Sequence, residues 1–176
     1  RRELGIRTVF NILGPLTNPA NAAHTLMGVF APELTRTMAM AMRELGAQHV
    51  LVVHSDDGMD EISIAAPTQV CELKNGELTE YVLTPEQFGI ERAPLSALQV
   101  GNPEESKAML LSALNNQAGA ARDIVILNAG VALYTAQHVD NIDAGITLAR
   151  EVIASGAARA KVDEFARFTQ TFKAAS

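Results

Sequence analysis

Apolar residues in the first half of the chain alternate between strand-like and helical spacing. Residues 25–30 form an apolar run that is typical of a strand. Apolar side chains then recur every three or four positions from Leu34 to Leu45, which predicts a helix, and residues 49–53 form a second apolar run. Because a crossover helix joins the two strands, the sequence predicts that they are parallel neighbours in a sheet.

The spacing changes further along the chain. Short runs at 61–64, 69–73 and 78–83 predict three more strands. The pair Asn75-Gly76 between the last two runs is a strong signal for a tight hairpin. These strands are therefore predicted to form an antiparallel addition to the sheet.

The second half of the chain has helical patterns. Asn102 and Pro103 predict the start of a helix that ends near Asn115. Residues 123–137 are nearly all apolar or small, which predicts a buried helix, and Asn141 precedes a further one. The sequence thus predicts an α/β fold that has a mostly parallel central sheet with flanking helices, an antiparallel extension and C-terminal helices.

An acidic loop directly follows the second predicted strand and contains Asp56, Asp57, Asp60 and Glu61. Ligands of open α/β sheets bind at the carboxyl ends of strands, and closely spaced carboxylates repel one another unless a cation or a basic ligand neutralises them. Mg²⁺ usually binds proteins through one or two carboxylates plus substrate phosphates. The loop therefore predicts one side of a site for a magnesium-chelated phosphate compound. A solvated acidic turn is the alternative, since Asp and Gly favour turns.

Composition narrows the possible classes of function. The chain has 176 residues, of which 48% are hydrophobic, so one domain with a sizeable core is expected, with length enough for a small appendage. A net charge of −6 argues against broad binding to nucleic acid or to anionic membranes. The single cysteine, Cys71, excludes an internal disulfide and is predicted to be a buried, inert thiol. His54 ends the central strand beside the acids, and a structural or supporting role is favoured over catalysis.

The chain has no apolar run long enough to cross a membrane and no visible signal peptide, so a cytoplasmic protein is expected. Residues 1–5 have the pattern of a helix end closed by a glycine. A chain that opens on the last turn of a helix is expected to be a piece of a longer protein.

Two blocks of sequence are distinctive. The first consists of RRELG at residues 1–5 followed by RTVFNILGPLTNP at residues 7–19. The second consists of VVHS at residues 52–55 and GMDE at residues 58–61. In residues, order and spacing the two blocks resemble the anthranilate phosphoribosyltransferase family, and the resemblance extends over nearly the whole chain. It implies that residues 1–176 form the C-terminal α/β phosphoribosyltransferase domain of such an enzyme.

The resemblance implies an activity and a set of site residues. The family transfers the phosphoribosyl group of phosphoribosyl pyrophosphate to the amine of anthranilate and releases pyrophosphate, a pentosyl transfer in tryptophan biosynthesis that requires Mg²⁺. Asp60 and Glu61 resemble the acidic pair that holds Mg²⁺ on the diphosphate. Arg1 resembles the arginine that contacts the anthranilate carboxylate, with Arg2 as the alternative.

The family's N-terminal helical domain, which forms a homodimer, and its glycine-rich diphosphate loop have no counterpart in this sequence. Negligible turnover is therefore expected from the chain alone. Two other functions remain open. A pyrimidine nucleoside phosphorylase-like domain shares the fold but needs no diphosphate-bound metal pair. A non-catalytic α/β assembly module is the other, and for such a module Asp60→Asn with Glu61→Gln would leave every measurable property intact.

Overall fold

The structure of the chain is a computed structural model. The residues that it describes are 22–172 together with Gly14, Leu16, Thr17 and Pro19. The chain divides into two units, Arg1–Thr84 and Pro85–Ser176. Among the helices within these described residues, none is long and apolar enough to span a membrane.

In the first unit, the described residues form a four-stranded sheet in which the spatial order of the strands follows the chain. Its strands are β1 (His24–Gly28), β2 (His49–Ser55), β3 (Thr68–Lys74) and β4 (Glu77–Leu83). Strands β1 and β2 are parallel, as their pattern predicts, and helix α1 (Leu34–Glu44) forms the crossover between them. Strands β2 and β3, and then β3 and β4, pair in antiparallel fashion.

Helix α1 packs its apolar side against one face of this sheet. Met38 and Met42, which helical spacing places on the Leu34 side, are buried in a cluster that includes Val50 and Val52 of β2. Every residue of β2 is buried. The end of this strand is therefore a rigid support for the loop that follows it.

The α/β class is confirmed, but the balance within the sheet differs from the prediction of a mostly parallel sheet. In the described part of the chain, one strand pair is parallel and two are antiparallel. Residues 61–64 are also not a strand. The Ser63 amide donates to the hydroxyls of Ser55 and Thr68 instead of pairing with a neighbouring strand. The two isoleucines of this segment are nevertheless buried, which accounts for its strand-like apolar pattern.

The predicted hairpin is confirmed between β3 and β4. Asn75 and Gly76 form its turn with φ angles of 53° and 83°. Two consecutive residues with positive φ define the type I′ turn, whose twist matches that of the flanking strands. The local sequence thus specifies the register of this strand pair.

The second unit is helical. Its elements are two short 3-10 helices (Pro85–Phe88 and Leu95–Leu98) and the helices α2 (Pro103–Leu114), α3 (Ala120–Thr135), α4 (Ile142–Ala154) and α5 (Ala157–Gln170). The predicted caps are confirmed, because the side chains of Asn102 and Asn141 each accept a backbone N–H bond of 2.8 Å at the start of α2 and α4. Each cap satisfies a donor that would otherwise lack a helical partner.

Candidate metal-binding site

The acidic loop is a tight turn at the carboxyl end of β2. The Ser55 amide donates to the Met59 carbonyl at 3.0 Å, and the Gly58 amide donates to the Ser55 carbonyl at 2.9 Å. Gly58 has a φ of 89°, a left-handed conformation that glycine adopts without a steric penalty. The turn reverses the chain, so that the residues after Met59 return towards the end of the sheet.

Two of the four acids are engaged within the first unit itself. Asp57 is half-buried and accepts hydrogen bonds from the Met59 amide at 3.1 Å and from the Ser63 hydroxyl at 2.5 Å. Asp56 is exposed and accepts a bond from the Gln69 amide side chain at 3.1 Å. Both carboxylates therefore support the conformation of the loop.

The other two acids are exposed. Within the described residues, the side chains of Asp60 and Glu61 have no hydrogen bond or ion pair with another residue. Two neighbouring carboxylates in this state retain their lone pairs for an external cation. The structure thus separates the acids into a supporting pair and an available pair.

The available pair has the donor chemistry of a hard cation site. Carboxylate oxygens are ligands that Mg²⁺ prefers, and Mg²⁺ is usually held by one or two protein carboxylates together with substrate phosphates and waters. Among the described residues, no group of three or more His, Cys, Asp or Glu side chains is arranged to hold a metal ion. Asp60 and Glu61 therefore fit an open site that a phosphate ligand completes, and not a closed protein cage.

His54 supports the end of the strand. Its ring is buried, and Nδ1 lies 2.8 Å from the Val29 carbonyl oxygen. Because a carbonyl oxygen only accepts, Nδ1 carries the proton in this contact. The bond ties the end of β2 to the residue that follows β1, in agreement with the structural role that its position predicts.

Arg1 and its alternative Arg2 lie outside the residues that the structure describes. Their contact with the anthranilate carboxylate stays a prediction. The metal-binding role of Asp60 and Glu61 also stays a prediction, although the structure places both side chains at the surface of the predicted loop.

Three residues beside the acids are absent from the sequence-based set. Gly28 lies close to the backbone of Asp60. The Ser55 hydroxyl donates to the Glu61 carbonyl oxygen and lies 2.6 Å from the Thr68 hydroxyl. A glycine within a strand pattern is a known sign of close backbone approach, so Gly28 carried a usable signal. The hydroxyl pair had none, because Ser55 and Thr68 face each other only through the pairing of β2 with β3.

The family comparison covers most of the chain. Residues 1–159 match the family described as "Glycosyl transferase family, a/b domain". The chain is 61% identical over 173 residues to the anthranilate phosphoribosyltransferase of Burkholderia multivorans and 60% identical over 172 residues to that of Aromatoleum aromaticum. Each alignment covers 98% of this chain and 50% of the relative, so the chain spans about half the length of the curated relatives it matches.

Solved structures give a concordant result. Anthranilate phosphoribosyltransferase from Thermus thermophilus matches with a TM-score of 0.87 and 44% identity, covering 97% of this chain and 50% of that one. The Saccharomyces cerevisiae enzyme in complex with PRPP and Mg matches with a TM-score of 0.81 and 30% identity, covering 94% of this chain and 48% of that one. The yeast enzyme in complex with 4-fluoroanthranilate gives the same values. The resemblance to anthranilate phosphoribosyltransferases is confirmed.

Proposed function

The chain belongs to the glycosyl transferase family with an a/b domain, and from this premise we propose that it forms the metal-binding half of an anthranilate phosphoribosyltransferase. In this proposal, residues 1–176 are the C-terminal α/β domain of that enzyme. The reaction transfers phosphoribosyl from phosphoribosyl pyrophosphate (PRPP) to the amine of anthranilate. We also propose that this reaction is a step of tryptophan biosynthesis.

One observation carries the proposal to particular residues. Asp60 and Glu61 are adjacent, exposed and without a hydrogen bond or ion pair to another described residue, at the edge of a sheet where ligands bind. A related enzyme of known structure, from Saccharomyces cerevisiae, is in complex with PRPP and Mg. We assign Asp60 and Glu61 as the carboxylates that hold Mg²⁺ on the diphosphate of PRPP.

The chemistry requires little from the protein beyond positioning and charge. A bond forms between the anthranilate nitrogen and the anomeric carbon, and the bond from that carbon to the pyrophosphate oxygen breaks, with its electron pair leaving on pyrophosphate. The amine then loses a proton to solvent water. Bound Mg²⁺ would neutralise the charge of the departing pyrophosphate. Asp60 and Glu61 would orient the diphosphate by holding the cation at the end of β2. Catalysis would then rest on orientation and electrostatics, without a covalent enzyme intermediate.

Substrate recognition involves a residue at the start of the chain. We propose that Arg1, with Arg2 as the alternative, binds the anthranilate carboxylate. A guanidinium group can donate two parallel hydrogen bonds to a carboxylate, which fixes its orientation. Lysine in place of whichever of the two arginines binds anthranilate is expected to raise the KM for anthranilate and to leave the KM for PRPP nearly unchanged.

The remaining parts of the enzyme belong to the other half of the relatives' length. We propose that this half supplies the glycine-rich diphosphate loop and the helical domain through which the enzyme forms a homodimer. In this proposal, the chain corresponds to the C-terminal half of these relatives, of which it covers 50%. It can therefore be tested in a fusion that joins residues 1–176 to the N-terminal half of the Burkholderia multivorans enzyme, called here the fused enzyme.

The decisive assay follows the loss of anthranilate fluorescence in the presence of PRPP and Mg²⁺. The fused enzyme is expected to consume anthranilate in a Mg²⁺-dependent reaction and to release one pyrophosphate for each anthranilate. The control carries Asp60→Asn with Glu61→Gln and is expected to be nearly inactive. A folded fused enzyme that cleaves nucleosides with phosphate, or that has no activity at all, would contradict the proposal.

A further inference from the structure

Gly28, at the end of β1, lies against the backbone of the acidic pair. A Cβ atom built on Gly28 would lie 2.3 Å from the carbonyl oxygen and 2.8 Å from the carbonyl carbon of Asp60. Contacts below 3.0 Å are essentially never made by real Cβ atoms, and these neighbours are backbone atoms that cannot rotate away. Any side chain at position 28 would therefore displace the peptide group that joins Asp60 to Glu61.

A buried pair of hydroxyls holds the next peptide group. The Ser55 hydroxyl donates to the Glu61 carbonyl oxygen at 2.6 Å, and it lies 2.6 Å from the Thr68 hydroxyl. A hydroxyl has a single proton. Because the proton of Ser55 is used on Glu61, the Thr68 hydroxyl must donate to Ser55. Both residues have no exposed surface, so water does not replace either bond.

The amide of Ser63 completes this arrangement. It donates to the Ser55 hydroxyl at 3.1 Å and to the Thr68 hydroxyl at 3.2 Å. The two hydroxyls thus bind the backbone on both sides of residue 62. Gly28 thus lies against the Asp60 carbonyl group, and the Ser55 hydroxyl holds the Glu61 carbonyl oxygen. The side chains of the two acids themselves have no hydrogen bond or ion pair with a described residue.

These contacts provide the pre-organisation that a pair of metal ligands needs. Since the side chains of Asp60 and Glu61 are held by no other described residue, the backbone that carries them sets the direction of their Cα–Cβ bonds and so the region that the two carboxylates can reach. Mg²⁺ demands near-ideal geometry with ligand distances of about 2.0–2.1 Å. A shift of about 0.7 Å, the least that a Cβ on Gly28 requires to move 2.3 Å out to 3.0 Å, is large on that scale.

We propose that Gly28, Ser55 and Thr68 are positioning residues that aim the Asp60–Glu61 carboxylates at the cation on the diphosphate. This inference rests on the proposed function, because it assigns residues that act through the acidic pair. Gly28 allows the close approach of the chain, and the Thr68–Ser55 hydroxyl relay holds the backbone in place. In this proposal the three residues act through the backbone of the acidic pair and not by contact with the ligand.

The first test measures binding of Mn²⁺ in the presence of pyrophosphate, by electron paramagnetic resonance on the fused enzyme. Gly28→Ala is expected to weaken Mn²⁺ binding by about tenfold to a hundredfold, the usual effect of changing residues that orient metal ligands. Gly101→Ala is the matched control, because a Cβ there meets only a side-chain oxygen of Glu105 at 3.4 Å. The control is expected to bind Mn²⁺ like the unchanged protein.

The second test examines the hydroxyl relay and does not depend on Gly28→Ala remaining folded. Thr68→Val keeps the shape of the side chain but removes the proton that Thr68 gives to Ser55. It is expected to weaken Mn²⁺ binding by about tenfold, and Thr68→Ser, which retains the hydroxyl, is expected to restore it. Amide hydrogen exchange in residues 59–63 is expected to accelerate in the valine variant and not in the serine variant.

The outcomes separate the inference from the proposed function. If Mn²⁺ binding is unaffected by Asp60→Asn with Glu61→Gln, the proposed metal site itself is wrong, and the other three residues have no metal ligands to position. If those acids matter but folded Gly28→Ala binds Mn²⁺ normally, the role of Gly28 is refuted. Normal binding by Thr68→Val likewise refutes the hydroxyl relay. A melting temperature that falls without any change in Mn²⁺ affinity would mean that these residues only stabilise the fold.

Discussion

At the scale of single residues, the acids of one loop differ in what surrounds them. Asp60 and Glu61 are exposed and unengaged by the described residues, so the loss of both carboxylates is expected to weaken cation binding without harming the fold. Asp60→Asn with Glu61→Gln is expected to weaken Mn²⁺–pyrophosphate binding by at least about tenfold. Relief of repulsion between the two carboxylates is expected to leave the melting temperature in EDTA unchanged or slightly higher.

The chain contains a matched control for that experiment. Asp163 and Glu164 are another adjacent pair of acids, on α5, where they form ion pairs with Arg159 and Lys161. Asp163→Asn with Glu164→Gln removes the same charge but is expected to leave Mn²⁺ binding intact. An equal loss of Mn²⁺ binding in both double variants would indicate a general effect of charge and would contradict the assignment of a site.

Asp57 is expected to behave in the opposite way. It accepts bonds from the Met59 amide and the Ser63 hydroxyl, so Asp57→Ala leaves two donors without their partner. The free energy of unfolding is expected to fall by about 1–2 kcal/mol, as measured by urea denaturation. An unchanged unfolding free energy would mean that water replaces both bonds and that Asp57 does not support the loop.

Cys71 provides a test of burial that depends on pH. Burial raises the pKa of its thiol, the Glu80 carboxylate acts in the same direction, and Arg36 opposes both. Because the native state holds the proton more tightly than the unfolded state, this contribution to stability is present below the pKa of the unfolded thiol and is lost as the pH rises through the native pKa.

Reaction of Cys71 with a disulfide reagent is expected to be slow in the native protein at neutral pH and fast in denaturant. Rapid reaction of the native protein would contradict burial.

The sequence predicted the acidic loop but not the different roles of its acids. Asp57 and Asp60 have the same side chain and lie in the same turn. Their difference arises because the chain reversal brings Ser63 to Asp57, whereas no described residue makes a hydrogen bond or ion pair with the carboxylate of Asp60. Contacts of this kind depend on the path of the backbone, which periodicity does not encode.

At the scale of elements, the hairpin between β3 and β4 depends on local conformation. Gly76 has a φ of 83°, and nothing lies within 4 Å of a Cβ built there. Gly76→Ala therefore tests backbone conformation alone and is expected to lower the free energy of unfolding by about 1–2 kcal/mol. Gly101→Ala, at a glycine without a left-handed φ, is the control; equal stability of both variants would contradict the assigned turn.

The crossing of α3 and α4 depends on close approach of two glycines. A Cβ on Gly130 would lie 2.7 Å from the backbone nitrogen of Ile146, and one on Gly145 would lie 2.2 Å from the carbonyl oxygen of Gly130. Alanine is a better helix former than glycine by about 1 kcal/mol, so propensity alone predicts that Gly130→Ala stabilises α3. Steric overlap is expected to outweigh this gain, so that the free energy of unfolding of the variant, measured by thermal unfolding, falls by about 1–3 kcal/mol. A stabilised variant would show that the helices lie further apart.

Elements whose sequence signals are local are predictable from the sequence, and the one strand that is predicted wrongly, residues 61–64, has a physical explanation. The caps Asn102 and Asn141 and the turn at Asn75-Gly76 act over three or four residues, so the sequence alone identified them. Residues 61–64 were misassigned as a strand because burial of alternate side chains looks the same whether the amides bond to a strand or to hydroxyls. Only the position of Ser55 and Thr68 distinguishes the two cases.

At the scale of the whole molecule, the chain accounts for half of the relatives' length. If the other half supplies the diphosphate loop, the chain alone is expected to consume anthranilate at a negligible rate under conditions in which the fused enzyme is active. Fluorescence assays of both proteins at equal concentration test this. Turnover by residues 1–176 at a rate near that of the fused enzyme would refute the division.

In the proposed enzyme, Asp60 and Glu61 hold the divalent cation that binds the diphosphate. A crystal of the fused enzyme grown with Mn²⁺ and PRPP, with anomalous scattering collected to locate the metal, would show whether they do. We predict a manganese peak within bonding distance of a carboxylate oxygen of Asp60 or Glu61 and of a diphosphate oxygen. A peak on the diphosphate with both carboxylates turned away from it would refute the proposed metal site.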